Sequence, residues 1–93
     1  MELDALILGY EEEHDQEGTP KARLGSFVLR APNGAEFKAG SGLTQFQRDF
    51  YWRESSKAKL RGRVVKCKYE MLSDGGVPLK PTVFFVDDGI LFE

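Results

Sequence analysis

Ninety-three residues leave room for one small domain, and a chain of this size hides only about 60 to 65% of its unfolded surface. The lone cysteine, Cys67, excludes an internal disulfide, and with no Cys-x-x-Cys or Cys/His cluster a zinc site is excluded too. The net charge of −2 and a pI near 5.4 argue at first against a polyanionic partner. No apolar run approaches the roughly 20 residues that span a bilayer, and the N-terminus lacks the order of a signal peptide, so the expected setting is a reducing cytoplasm without membrane contact.

In chain order, "ALILGY" (residues 5–10) is a short apolar run that reads as a first strand. The acidic "EEEHDQEGTP" behind it reads as a mobile loop over 11–20. "RLGSFVLRAPNGAEFKAG" then holds two extended runs, near 24–30 and 35–39, about Asn33-Gly34, a pair suited to a type I′ hairpin turn. Gly40 and Gly42, with Ser41 between them, let the chain leave the sheet sharply; a phosphate cradle built from the same amides is the alternative. Thr44 stands at an N-cap with Gln47 at capping-box spacing, and Phe46 and Phe50 share a face, which predicts a helix over 45–52.

"GRVVKCKYEM" (62–71) alternates Val65, Cys67, Tyr69 and Met71 with Lys66, Lys68 and Glu70, the pattern of a half-buried strand with a basic outer face. "SDGGVP" reads as a turn, and "TVFFVDD" (82–88) as a last strand. The result is a mainly β chain, five strands with one short helix between strands 3 and 4, which is the order of a five-stranded OB-fold Greek-key barrel.

The small net charge conceals segregation. Residues 1–20 carry seven acids and no Lys or Arg, residues 21–70 carry twelve bases against four acids, and residues 71–93 set Lys80 against four acids. A basic body with acidic ends is the better description. Lys66 and Lys68 on one strand face, with Arg48 and Arg53 at the helix, are candidate phosphate ligands, a solvated surface being the bland alternative. Arg61 and Arg63 fall on the opposite parity. Phe50 and Trp52 are expected in the core, although with Tyr51 they are also candidates for stacking on bases. His14 is expected in a solvated loop rather than at a metal, and Cys67 in the core.

"LGSFVLRAPNGAEFKAGSGLTQFQRDFYW" and "GRVVKCKYEMLSDGGVPLKP" together resemble the C-terminal OB domain of ATP-dependent DNA ligases, particularly the compact phage and bacterial kind. Shared landmarks are Leu24-Gly25-Ser26, Gly34, Phe37, the Gly40 to Thr44 run, Arg48, Trp52, Gly62, Lys66 to Tyr69, and Pro78 with Pro81. "DALILGYEE" also resembles the segment following the lysine motif that ends the family's nucleotidyltransferase domain. The resemblance implies a domain that lays a basic surface on nicked duplex DNA opposite that catalytic domain, and it adds Lys38 and Lys80 to the candidate DNA-binding residues. It implies ATP and Mg in the parent ligase and no cofactor held by this chain. Where the family has an arginine between the two prolines and further basic residues in or after the last strand, this chain has Leu79-Lys80 and then "FFVDDGILFE", so phosphate contacts from this end are expected only if Lys80 substitutes. No lysine here precedes x-Asp-Gly, so the nucleophile motif of ligases is absent and no catalysis is expected from this chain alone. A stand-alone module for single-stranded nucleic acid and a protein-interaction barrel are the alternatives.

Overall fold

A computed structural model of the chain describes residues 1–53 and 59–87. Its elements are β1 (Glu2–His14), β2 (Pro20–Arg30), β3 (Glu36–Ala39), α1 (Gln45–Trp52), β4 (Val64–Lys68), β5 (Met71–Leu72), β6 (Pro78–Leu79) and β7 (Thr82–Asp87). Five of the strands form one antiparallel sheet in the order β3-β2-β1-β4-β7, with β5 and β6 a separate hairpin. This is the expected mainly β, OB-like arrangement with its helix in the expected place. The sheet does not close into a continuous barrel. Among the described residues, β3 and β7 form no ladder, and the bond across the gap runs from the Val83 amide to the Ser41 carbonyl, 2.8 Å.

The main difference from the sequence-based expectation lies at the acidic segment. Residues 11–14 continue β1 rather than forming a mobile loop, and a tight turn leads directly into β2. The Gly18 amide bonds to the Asp15 carbonyl at 3.0 Å, Gly18 takes φ +86°, and the Asp15 amide closes on the Thr19 carbonyl at 3.0 Å. The Asp15 carboxylate accepts from the Glu17 and Thr19 amides, both at 2.9 Å. Those bonds, Thr19 foremost, hold its pKa below the ordinary carboxylate value.

The same turn recurs twice. Gly34 (φ +89°) bonds to the Ala31 carbonyl while Ala31 closes on Ala35, and Gly76 (φ +79°) bonds to the Ser73 carbonyl while Ser73 closes on Val77. Asn33 lacks the positive φ that a type I′ turn requires, so the turn is of type I, centred on Pro32-Asn33 and followed by the left-handed Gly34. The middle of these turns touches the last, the Asn33 side-chain amide donating to the Gly76 carbonyl at 3.0 Å.

Strand periodicity sends Ala5, Ile7, Leu24, Phe27, Leu29, Phe37, Ala39, Val65, Cys67 and Val83 inward. The helix covers one mouth of this core. Thr44 accepts from the Gln47 amide, and the Gln47 side chain accepts from the Thr44 amide, completing the capping box. The plug is Tyr51, 1% exposed, rather than Phe50 or Trp52, which are only half-buried. It stands 6.0 Å from Phe27 and 5.7 Å from Phe50, ring centre to ring centre.

Cys67 is wholly buried, and burial pushes its thiol up to about 11. An unfolded thiol ionises near its ordinary value of 9.0, so this group's contribution to stability is complete below that value and is lost as pH rises through the folded one. Accordingly, a thiol reagent at neutral pH should label Cys67 only when denaturant is added, as read by intact mass; rapid labelling of the native chain would contradict its burial.

Candidate nucleic-acid interface

Alternation on β4 turns Val65 and Cys67 inward and leaves Lys66 and Lys68 on the outer face. On one side lies β1, whose register sets Asp4 opposite Lys66 and Glu2 opposite Lys68. On the other lies β7, where Phe85 is opposite Lys66 and Thr82 opposite Lys68. The Lys66 ammonium is 3.8 Å from the Asp4 carboxylate, and the Lys68 ammonium stands 5.2 Å over the Phe84 ring. Lys68 and Lys80 line a shallow concavity of about 390 Å³ together with Tyr69, Glu70 and Thr82. Thus Lys68 neighbours both Lys66, on the same face of β4, and Lys80, within the concavity.

The remaining candidates lie elsewhere. Lys38 is on β3, three strands from β4, where it pairs with Glu11 at 2.7 Å. Arg53 caps the end of α1 with its guanidinium 5.5 Å from the Phe50 ring centre. Arg48 turns inward: one guanidinium nitrogen donates to the Leu24 and Gly25 carbonyls at 3.0 and 2.7 Å, and the other to the Gly40 carbonyl at 2.6 Å. This guanidinium clamps the helix onto β2 and the end of β3, and its donors are spent on the fold rather than presented to a phosphate.

The same clamp explains the Gly-Ser-Gly joint. A side chain at position 40 would collide with the Gly25 carbonyl oxygen, and one at 42 with the Val83 carbonyl oxygen, while Gly42 also takes φ +94°. Both glycines therefore serve close backbone approach, and the bend, not a phosphate cradle, accounts for them.

Two features escape a strand-by-strand reading. First, three of the basic candidates face carboxylates: Lys66 with Asp4, Lys38 with Glu11, and Lys80 with Glu70 at 3.7 Å. These acids could be located only by knowing which strands pair. All three pairs are exposed, and such pairs contribute about 0 to 1 kcal/mol, so they leave the lysines available to a stronger anion. Second, Phe84 and Phe85 are both exposed, at 44% and 50%. His14 bonds to the Glu12 carbonyl at 3.0 Å, and among the described residues no group of His, Cys, Asp or Glu could hold a metal ion. No helix among them is long and apolar enough to cross a membrane.

An open five-strand sheet, with a capped helix plugging one mouth and lysines on the outer face of an interior strand, makes an OB-like β domain. The sequence profile of the DNA ligase OB-like domain matches residues 17–86, and the chain belongs to that family. Solved structures agree in fold. A structure described as "DNA binding with a minimal scaffold: Structure-function analysis of Lig E DNA ligases" superposes with a TM-score of 0.71 at 20% identity, over 92% of this chain and 30% of that one. Pmar-Lig_Pre matches with a TM-score of 0.72 at 25% identity, over 94% of this chain and 21% of that one, and Pmar-Lig_PreS3 with 0.69 at 24%, over 92% and 21%. This chain thus spans under a third of the solved chains it matches. No curated protein matches.

Proposed function

We propose that this chain is the DNA-gripping OB domain of an ATP-dependent DNA ligase, holding nicked duplex so that a nucleotidyltransferase domain can seal it during replication or repair. The observation that carries the reading is the placing of Lys68 beside both Lys66 and Lys80 on the outside of a ligase-family OB-like domain. Phosphate contact by flexible ammonium groups gives affinity without sequence preference, and it falls with salt because bound counterions are released. ATP and Mg belong to the catalytic partner, and a cytoplasmic setting suits the reduced thiol of Cys67.

Fluorescence anisotropy with nicked duplex tests the grip. Reversing both charges with Lys66→Glu and Lys68→Glu should lower affinity by roughly tenfold or more and flatten the salt dependence by about two phosphate contacts. Equal affinity before and after would remove β4 from the interface. A second test concerns chemistry. With labelled ATP and Mg²⁺ the chain alone should form no lysyl-adenylate, since an activated lysine beside a nucleotide pocket is required, whereas addition to an OB-deleted ligase should raise nick sealing by aligning the ends. A stable adenylate on this chain would overturn its assignment as an accessory domain.

A further inference from the structure

The register of β7 against β4 slips between Lys66 and Cys67: Phe85 pairs with Lys66, Val83 pairs with Cys67, and Phe84 is the extra residue between them. Strict alternation from the buried Val83 would turn Phe85 into the core. The bulge instead leaves Phe84 and Phe85 both outward, while Val83 and Val86 pack inward. Bulges re-aim side chains and are concentrated next to functional sites. Here the re-aimed groups are two aromatic rings in a small domain whose core would otherwise claim one of them.

Beside the rings lie the two lysines. Lys66 is directly across from Phe85, about 5 Å away along the sheet, and the Lys68 ammonium stands over Phe84 at 5.2 Å. A row of cations parallel to a row of aromatic faces is complementary to a strand of nucleotides whose bases are unpaired: ammonium groups take the phosphates and rings take the bases. Bases within intact duplex have no free face to offer. An apolar protein partner would have to bury two ammonium groups, whereas phosphates satisfy them.

We propose that Phe84 and Phe85, with Lys66 and Lys68, form a binding site for unpaired nucleotides, such as those of a frayed or displaced strand at a nick. The inference rests on the reading of the chain as a DNA-binding domain and adds to it a second, single-strand contact made by rings. Among the described residues the stacked Phe46 and Phe50 with Arg53 form a second aromatic and cationic pair, but that pair lies on the helix, away from Lys66 and Lys68.

The test uses the full chain, a short fluorescein-labelled oligothymidine and an intact duplex, read by anisotropy. Combined Phe84→Ala and Phe85→Ala should weaken oligothymidine binding by roughly tenfold or more, since each lost stacking contact is worth several-fold or greater. Duplex affinity should stay within about twofold, because phosphate contacts carry it. Phe85→Trp should retain oligothymidine binding, and the indole emission that it adds to that of Trp52 should be quenched by the bound base. Circular dichroism melts should be unchanged in both variants, the rings being outside the core. An unmodified chain that binds duplex but not oligothymidine, or an alanine variant that loses both equally, would overturn the ring contact while leaving the duplex grip standing. A concentration-dependent dimer that the alanine variant abolishes would overturn it as well, by assigning the rings to self-association. Loss of both DNAs on Lys66→Glu and Lys68→Glu, with no effect of the ring substitutions, would retain the phosphate contacts and reject the stacking site.

Discussion

Gly40→Ala is expected to lower the melting temperature by roughly 10 °C or more, corresponding to about 3 kcal/mol in a domain of this size. The new methyl would lie against the carbonyl oxygen of Gly25, a backbone atom that cannot rotate away. Relief requires β2 and the end of β3 to separate, and the Arg48 guanidinium bridges the same Gly25 and Gly40 carbonyls, so relief also stretches the clamp. Gly75→Ala is the control. There the nearest atom to an added methyl is the Ser73 hydroxyl at 3.9 Å, an ordinary contact. Thermal melts by circular dichroism separate the two, and a Gly40→Ala melt coinciding with the control would refute the close approach.

The second large effect is expected from Arg48→Met, which keeps much of the length and apolar stem but removes the donors. A hydrogen bond to a charged group contributes about 1.5 to 3 kcal/mol net, and bonds sharing one guanidinium do not add in full. Three carbonyls lose this donor together in a half-buried site, Gly40 keeping the Leu43 amide at 3.3 Å, so a loss of about 2 to 4 kcal/mol is expected. Because the acceptors at hydrogen-bonding distance are carbonyls, and the Glu13 carboxylate stands 4.0 Å off at a half-buried position, high salt should leave most of the difference intact. Arg48→Lys should recover only part of it, since an ammonium lacks the planar fork that reaches carbonyls on both sides. Urea titrations of the three proteins measure this directly. Stability of Arg48→Met equal to that of the native chain would return Arg48 to the list of residues available for DNA.

Much of the fold was legible because local rules and tertiary demand agree. The capping box at Thr44 and Gln47 sets the start of α1, and the alternation around Val65 and Cys67 sets the faces of β4. The acidic stretch after Tyr10 was misread because polar residues normally signal a loop, whereas here they continue a strand whose outer side is solvated. Its turn was visible only in the spacing of Asp15 and Gly18, a spacing repeated by Ala31 with Gly34 and by Ser73 with Gly76. The two-residue β5 and β6 were too short to show any period. Tyr51 was overlooked because its two aromatic neighbours are bulkier or equally apolar, and only the position of the helix over Phe27 decides which ring points down.

At the site, the sequence separated the lysines of β4 from its core residues but could not recognise Arg48 as a backbone clamp. Its acceptors come from positions 24, 25 and 40, which converge only after folding. The outward pair of phenylalanines was hidden for a similar reason: a bulge is a property of two strands in register, and "TVFFVDD" alone reads as an unbroken strand. The family's basic residues in or after the last strand have no counterpart in "FFVDDGILFE", of which residues 88–93 lie outside the described residues.

The central place of β1 bears on how the domain comes apart. Its length joins β2 along one side and β4 along its first half on the other, so the local meander of β1, β2 and β3 and the later pair β4 and β7 share this single strand. Among the described residues one amide bond, Val83 to Ser41, crosses the opposite gap, so the later pair is expected to detach as a unit while the meander persists. Hydrogen exchange should then show two stability classes, the amides of β4 and β7 exchanging through a sub-global opening and those between β1 and β2 only on complete unfolding. Under the proposed duplex grip, a gap of this kind supplies a built-in line along which the domain yields as it closes on the rod and lets it go.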